Sequence, residues 1–241
     1  MNASPLADVL RRLRLAGRLL AEIAQLPCAR LCFHSALNPE LVRATYRLFT
    51  KRHPRCPLIR NKSLGIALIR LSDFPTRDHY LATLQRKDLG GYQSRKAQSR
   101  GYVFTAIDRN RYIDDIHAIN TSLAERQGRP MDPGYHDKQL HYQDQPCFRY
   151  YGVLDAQGRL VAYCNVGIYG DFAATDRLLG YRRSDGAMYL LLTEIACQLI
   201  AEGQVRYLMY DTFLGAQPGL REFKRKLGFR PYRIRYSIDA P

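Results

Sequence analysis

One stretch, residues 207–236, constrains the fold more than any other, because two strand patterns flank a helix pattern there. The first strand is the apolar run Tyr207–Tyr210, which ends at Asp211. The helix is expected to begin at Pro218, whose missing N–H would have no partner in a first turn anyway. It is expected to end at Gly228, a residue that suits a left-handed C-cap. The sequence therefore predicts a strand, a helix and a strand in succession.

Strand and helix patterns of the same kind extend back to about residue 102. They predict a strand, a helix, a hairpin, a second helix and then the stretch above; the ranges are 102–107, 108–127, 147–153 with 159–167, and about 187–202. A mixed order with a central hairpin favours an α+β domain, in which helices flank a mixed central β-sheet. We expect this domain to occupy residues 61–241.

Residues 1–60 are predicted to form a basic helical region. Apolar residues keep helical spacing over 5–26, interleaved with arginines, and a second helix is expected over about 39–52. The first helix has two interpretations. It docks on its own domain, or it lies on a surface of anionic lipid or phosphate.

The charge of the chain is unevenly distributed. Formal net charge is +15 over 241 residues. Residues 1–107 hold 19 Lys/Arg against 6 Asp/Glu, a net of +13, whereas residues 108–241 hold 18 against 16, a net of +2. Such segregation indicates an anionic partner: nucleic acid, an anionic membrane or a phosphorylated small molecule. A merely solvated basic face is the alternative.

The cysteines favour reduced thiols in a cytoplasmic protein. There are six, and their spacing forms no disulfide framework. Cys28, Cys32 and His34 lie close together, but no second pair of ligands accompanies them, so no metal site is predicted. No run reaches the roughly 18 apolar residues that a membrane span needs. Arginines interrupt the apolar residues near the N-terminus, which does not resemble a signal peptide.

The order of elements over roughly residues 100–241 is similar to the GCN5-related N-acetyltransferase (GNAT) fold. That resemblance implies a pair of diverging strands, here Leu160–Gly167 and Tyr207–Asp211, around a cleft for the acyl donor. The family's pyrophosphate loop is half present, since Arg183 and Gly186 match it but Met188 stands where a second small residue is expected. Such loops bring backbone N–H groups to phosphate at a helix N-terminus.

Two shorter motifs resemble the Fem-type aminoacyl-tRNA-dependent transferases. They are Ser94–Ala97 before Gly101, and Gly219–Lys224 before Gly228. The resemblance implies an N-acyltransferase that forms an amide on a small-molecule or peptide amine, with aminoacyl-tRNA as donor and no resident cofactor. Fem-type proteins carry two copies of the fold, whereas this chain has room for one copy and a basic region.

The candidate site residues follow from this interpretation. Asp211 is expected to accept a proton from the attacking amine or to position it. Lys224 is expected to stabilise the oxyanion or a terminal phosphate, and Tyr210 offers a hydroxyl. Cations beside the domain are expected to contact donor phosphates. The donor-binding set is Arg95, Lys96, Arg100, Arg183, Gly186 and Arg221.

Two alternatives remain open from the sequence. The first is an enzyme that takes its acyl group from a coenzyme A thioester as donor substrate. The second is a non-catalytic module on the same fold, which holds RNA or makes peripheral contact with an anionic membrane through its basic half.

Overall fold

The computed structural model describes residues 21–53, 56–126, 129–182 and 185–239. Residues 21–25 are helical, and the rest of the helix predicted over 5–26 lies outside the described residues. The elements in chain order are β1 Cys28–Phe33, α1 Pro39–Thr50, β2 Arg52–His53, β3 Cys56–Arg60, β4 Ile66–Arg70, α2 Arg77–Thr83, α3 Gly90–Ser99, β5 Val103–Ala106, α4 Ile113–Thr121, β6 Glu125–Arg126, β7 Arg129–Pro130, β8 Phe148–Leu154, β9 Leu160–Ile168, β10 Phe172–Gly180, α5 Ala187–Glu202, β11 Tyr207–Thr212, α6 Pro218–Lys226 and β12 Arg230–Ile238.

A central sheet of eight strands organises the protein. Its order is β1-β12-β4-β11-β10-β9-β8-β5. The pairs β1–β12 and β10–β11 are parallel, and the remaining neighbours are antiparallel. The predicted α+β architecture with a mixed central sheet is confirmed. Within the described ranges, no helix combines the length and the apolar character needed to cross a bilayer.

Helices cover both faces of the sheet. The α5 face carries α2, α3, α5 and α6, and its core includes Leu191 and Ile195 of α5 with Leu208 of β11. The α1 face carries α1 and α4. On that face Phe33 packs edge-on against Phe172, with ring centroids 4.9 Å apart. Each large apolar side chain buried in this way contributes about 1.5–3 kcal/mol, which fixes both layers against the sheet.

Strand β1 was not expected, because it lies in the region predicted to be helical. Its edge position beside β12 means that the sheet includes residues from both sides of the boundary predicted at residue 60. The prediction of a helical N-terminal region was therefore incomplete. Whether residue 60 separates two domains stays a prediction.

Helix α4 is shorter than predicted. The pattern over residues 108–127 predicts one helix, yet α4 ends at Thr121. The hydroxyl of Thr121 donates to the carbonyl oxygen of His117 at 2.8 Å, and that of Ser122 donates to Ile119 at 2.7 Å. Such side chains compete for backbone carbonyls and favour a helix end. The prediction was wrong beyond this point.

Gly170 is placed where the edge strand β1 meets the connection between β9 and β10. Its φ is +152°, and an added Cβ would overlap the carbonyl oxygen of Cys32 and lie 2.8 Å from the backbone nitrogen of His34. We expect Gly170→Ala to lower the free energy of unfolding by about 2–4 kcal/mol, because both the backbone and β1 must shift. Urea denaturation measures this change.

Gly158 provides the matched control. Its φ is also positive, +77°, but an added Cβ meets no atom within 4 Å. We expect Gly158→Ala to cost only about 1 kcal/mol, the cost of the left-handed backbone alone. Equal losses for the two variants would show that the contact with β1 is not what requires Gly170.

Candidate active site

The strands β10 and β11 run side by side for only three residue pairs, Phe172–Ala174 against Tyr207–Met209. Beyond these pairs, β10 continues along β9 and β11 continues along β4. Among the residues that the structure describes, no strand pairs with β10 or β11 across the resulting gap, so the gap is a place where a ligand can bind. The diverging pair predicted from the sequence was β9 with β11. That prediction was wrong, because the unpredicted strand β10 lies between them.

Asp211 stands on the β11 side of this gap in an unusual backbone conformation. Its φ is +44°, and that of Lys62 is +47°; among the residues the structure describes, they are the two non-glycine residues with positive φ. Their side chains form an ion pair. Such conformations cost on the order of 1–3 kcal/mol each and are typical of functional sites. The two residues are therefore the leading candidates for chemistry.

Lys224 supports the backbone on both sides of Asp211. Its side chain is buried, with 1% of the residue exposed. The Nζ atom donates to the carbonyl oxygens of Tyr210 at 2.7 Å and Thr212 at 2.6 Å, which flank Asp211 on both sides. Lys224 thus holds the bend in β11 that presents Asp211. We call Lys62, Asp211 and Lys224 the Asp211 cluster.

The charges in the Asp211 cluster depend on one another. Burial lowers the pKa of Lys224 from 10.5 to about 8, although the Asp211 carboxylate attracts its proton. Burial also opposes ionisation of Asp211, but Lys62, and to a smaller extent Lys224, outweigh it and hold the pKa of this carboxyl below its ordinary value. At neutral pH the site is a carboxylate between two ammonium groups.

The lowered pKa of Lys224 predicts how stability depends on pH. Between about pH 8 and 10.5 the unfolded chain keeps a proton that folded Lys224 has lost, so a higher pH favours the folded state. We expect the wild type to gain stability over Lys224→Met across this range, by at most about 1.4 kcal/mol per pH unit. Urea denaturation of both proteins from pH 7 to 10 measures the difference. A difference that falls with pH would contradict this.

Two residues of this region were missed by the sequence analysis, Lys62 and Tyr236. The Tyr236 hydroxyl donates to the carbonyl oxygen of Lys62 at 2.7 Å and lies 3.7 Å from the sulfur of Met209. Tyr236 therefore fixes the turn that carries Lys62. Lys62 sits between Asn61 and Ser63, where no periodic pattern marks it.

Tyr210 belongs to the same region through its ring and backbone. The buried ring packs edge-on against Phe229, with centroids 5.7 Å apart, and the Lys224 ammonium lies 4.2 Å from its centre. The structure thus brings Tyr210, Asp211 and Lys224 together, as predicted. The catalytic roles of the three stay predictions.

The loop that opens α5 lies against α3. Gly186 caps α5 with a φ of +88°, and an added Cβ would lie 2.9 Å from a backbone oxygen of α3. Arg100 donates to the carboxylate of Asp185 at 3.1 Å. The structure therefore brings Arg100 and Gly186 together beside the N-terminus of α5. Arg183 lies outside the described residues.

The other predicted donor contacts are spread over the α5 face. Arg95 and Lys96 are exposed on α3, and Arg221 is half-buried in the first turn of α6. Helix α6 packs against the start of α5, where the rings of Phe223 and Tyr189 are 4.7 Å apart. Their phosphate-binding role stays a prediction.

A cavity of about 1000 Å³ lies on the α1 face. It extends from α1 to the segment between β7 and β8, and strands β8 to β11 contribute to its wall. Lys62, Tyr210 and Asp211 line it, so the Asp211 cluster opens onto this cavity. The gap between β10 and β11 therefore has this cavity on its α1 face. A reactant in the cavity can reach the Asp211 cluster.

Known proteins are similar to this chain in structure. No family model matches the sequence, and no curated protein sequence matches it. The solved structure of FemX superposes with a TM-score of 0.53 at 10% identity, over 70% of this chain and 59% of FemX. The chain has a GNAT-like fold. At this level of identity the likeness concerns the fold alone.

Two further solved structures are similar at lower TM-scores. L-PGS from Bacillus licheniformis gives a TM-score of 0.45 at 16% identity, over 69% of this chain and 57% of that chain. A GCN5-related N-acetyltransferase from Kribbella flavida gives 0.36 at 15% identity, over 54% and 47%. The chain thus spans less than three fifths of the length of FemX and L-PGS.

Proposed function

We propose that this protein is an N-acyltransferase, which transfers an acyl group to an amine where β10 and β11 diverge. The observation that carries the proposal is the Asp211 cluster. A carboxylate in a strained conformation stands between two ammonium groups, at the open end of the gap and at the edge of the cavity. Strain and perturbed pKa values that coincide in a cleft favour catalysis over a structural role. The GNAT-like fold supports the same reaction class.

In the proposed reaction, the neutral amine attacks the carbonyl carbon of an ester. A C–N bond forms, the bond to the leaving oxygen breaks, and the proton lost by the amine ends on that oxygen. Asp211 accepts a hydrogen bond from the amine and orients it, a role that suits a carboxyl with a low pKa. The ammonium groups of Lys62 and Lys224 create a positive potential that stabilises the oxyanion.

The donor we propose is aminoacyl-tRNA, with a coenzyme A thioester as the alternative. The support is the excess of cations in residues 1–107, 19 Lys/Arg against 6 Asp/Glu. Exposed cations occur on both sides of the sheet, including Arg43 and Arg47 on α1 and Arg95 and Lys96 on α3. Each cation that neutralises a phosphate releases a counterion and strengthens binding.

A comparison of donors tests the proposal. Purified protein is incubated with an alkylamine or a diaminoalkane as acceptor, and with either total tRNA charged with labelled amino acids or labelled acetyl-coenzyme A as donor. The amide product is followed by mass spectrometry. We expect product from charged tRNA, and tRNA binding that weakens steeply as salt rises. If only acetyl-coenzyme A gives product, the donor is a coenzyme A thioester and not aminoacyl-tRNA. If neither donor gives product, the proposal that the protein is an enzyme is overturned.

A further inference from the structure

A row of polar residues crosses the floor of the cavity on the α1 face. Asn165 of β9 pairs with Tyr150 of β8. On its other side the register between β9 and β10 shifts, so that two residues of β10 stand against one of β9. These two are Asp176 and Arg177, and both line the cavity. Asn165 therefore faces the cavity between a tyrosine and a bulge that carries two opposite charges.

Asn165 has an unused acceptor. The residue is only 6% exposed, and within the described residues its Oδ1 atom has no hydrogen-bond partner. Buried acceptors in folded proteins almost always have a partner, so this atom points to a donor supplied by a ligand. The exposed carboxylate of Asp176 beside it adds a negative charge. A ligand group that donates hydrogen bonds and carries positive charge fits both residues.

The cations on the cavity wall already have contacts. Arg109 donates to Asp144 at 3.2 Å and lies 3.6 Å from the centre of the Tyr150 ring. Arg177 lies 5.1 Å from the centre of the Tyr135 ring. The third cation, Lys62, is paired with Asp211. What remains for a ligand near Asn165 is an amide oxygen and a carboxylate. Both groups accept hydrogen bonds and one is negatively charged, which suits an ammonium group with its three donors.

We propose that the cavity binds the acceptor through a second amino group, held as an ammonium by Asn165 and Asp176. The acceptor is then a diamine or a molecule with the same chemistry, such as a peptide with two amino groups. Ala174 of β10 pairs with Met209 of β11, so Asp176 and Asp211 follow at equivalent positions on the two sides of the gap. One end of the acceptor is anchored at Asp176 while the other reaches the ester beside Asp211.

This inference rests on the proposed function, and the reaction balances as before. The nitrogen beside Asp211 forms the bond to the acyl carbon, the bond to the leaving oxygen or sulfur breaks, and the proton passes to that atom. The ammonium at Asn165 keeps its protons and forms no bond. It selects and orients the acceptor.

Binding of matched small molecules tests the inference without any donor. The probes are 1,5-diaminopentane, 1-pentylamine and 1,5-pentanediol, which share a chain length and differ in charge. Titration calorimetry at low salt is expected to show the tightest binding for the diamine, weaker binding for the monoamine and none for the diol. Equal affinity for diamine and diol, or no binding of the diamine, would overturn the inference.

Variants assign the binding to the row on the cavity floor. Asp176→Asn keeps the shape of an exposed side chain and is expected to weaken diamine binding at least tenfold. Asn165→Leu is expected to do the same, with its folding checked by circular dichroism. Asp114→Asn, in a surface ion pair with Lys138, is the control and should bind like the wild type. Unchanged affinity in Asp176→Asn would place the diamine elsewhere.

The outcome is separable from that of the donor comparison. If diamine binding depends on Asp176 but no donor gives acyl transfer, the amine-binding site is supported and the proposed acyltransferase activity is contradicted. Transfer that proceeds equally well to the diamine and the monoamine, with the same KM, would keep the transferase and remove the second amino group from acceptor recognition.

Discussion

Asp211→Asn is expected to lower kcat for acyl transfer by on the order of 10²–10⁴-fold, because the variant loses the charged acceptor that orients the attacking amine. The fold should survive, because asparagine tolerates the left-handed backbone that Asp211 adopts at φ +44°. The ion pair with Lys62 is partly exposed, with 52% of the Asp211 side chain accessible, so its loss should cost at most about 1 kcal/mol. Product formation and urea denaturation measure the two effects.

The control for this variant is Asp73→Asn. Asp73 is an exposed carboxylate whose ion-pair partner, the Arg70 guanidinium at 3.3 Å, lies outside the Asp211 cluster. Its replacement should leave kcat within about twofold, as expected for a surface ion pair. Transfer at the wild-type rate by Asp211→Asn would remove Asp211 from the chemistry. If the wild-type protein binds RNA but transfers no acyl group, a non-catalytic binding module is favoured instead.

Lys62 offers a second step in the same test. If Lys62 acts through its contact with Asp211, the variants Lys62→Met and Asp211→Asn should not be additive, and the double variant should be as slow as Asp211→Asn alone. Additive losses would mean that Lys62 contacts the donor independently. The two results thus distinguish a Lys62 that acts through Asp211 from a Lys62 that contacts the donor directly.

Local sequence pattern was enough to predict the elements that carry Asp211 and Lys224. The strand, helix and strand predicted over residues 207–236 are β11, α6 and β12. Each of them buries one side against the rest of the protein, so its hydrophobic period is visible in the sequence. Pro218 stands in the first turn of α6, as its chemistry requires. Hydrophobic periodicity and the residues that begin and end an element are enough to predict that element when it has one buried face.

Strand β10 could not be predicted in that way. Its centre reads Thr-Asp-Arg, and the bulge turns two successive polar residues, Asp176 and Arg177, towards one cavity. A bulge breaks the alternation on which strand prediction depends. The feature that hid β10 from the sequence analysis is thus the one that builds the floor of the proposed amine site.

Contacts between residues that are far apart in the sequence could not be predicted either. Strand β1 pairs with β12, so that Cys28 lies beside Arg233, about 200 residues away along the chain. Lys62 likewise meets Asp211 only in the folded protein. Nothing local to either residue specifies its partner, because the pairing depends on how the whole sheet is ordered. The sequence identified two of the three residues of the Asp211 cluster, and folding supplied the third, Lys62.

Lys224→Met is expected to damage both activity and stability. Methionine fills a similar volume but leaves the carbonyl oxygens of Tyr210 and Thr212 without their donor, and the bend at Asp211 is then unsupported. Loss of these charge-assisted hydrogen bonds should lower the free energy of unfolding by about 1–3 kcal/mol at pH 7. We expect kcat to fall by on the order of 10²–10³-fold.

A double variant decides how Lys224 contributes. If Lys224 only positions Asp211, then Lys224→Met combined with Asp211→Asn should be no slower than Asp211→Asn alone. A further loss in the double variant would show that the buried ammonium also stabilises the oxyanion. Arg225→Met is the control, since Arg225 is exposed on the same helix and paired with Glu222. Wild-type kcat and stability in Lys224→Met would mean that the bend in β11, and with it the placement of Asp211, does not depend on Lys224.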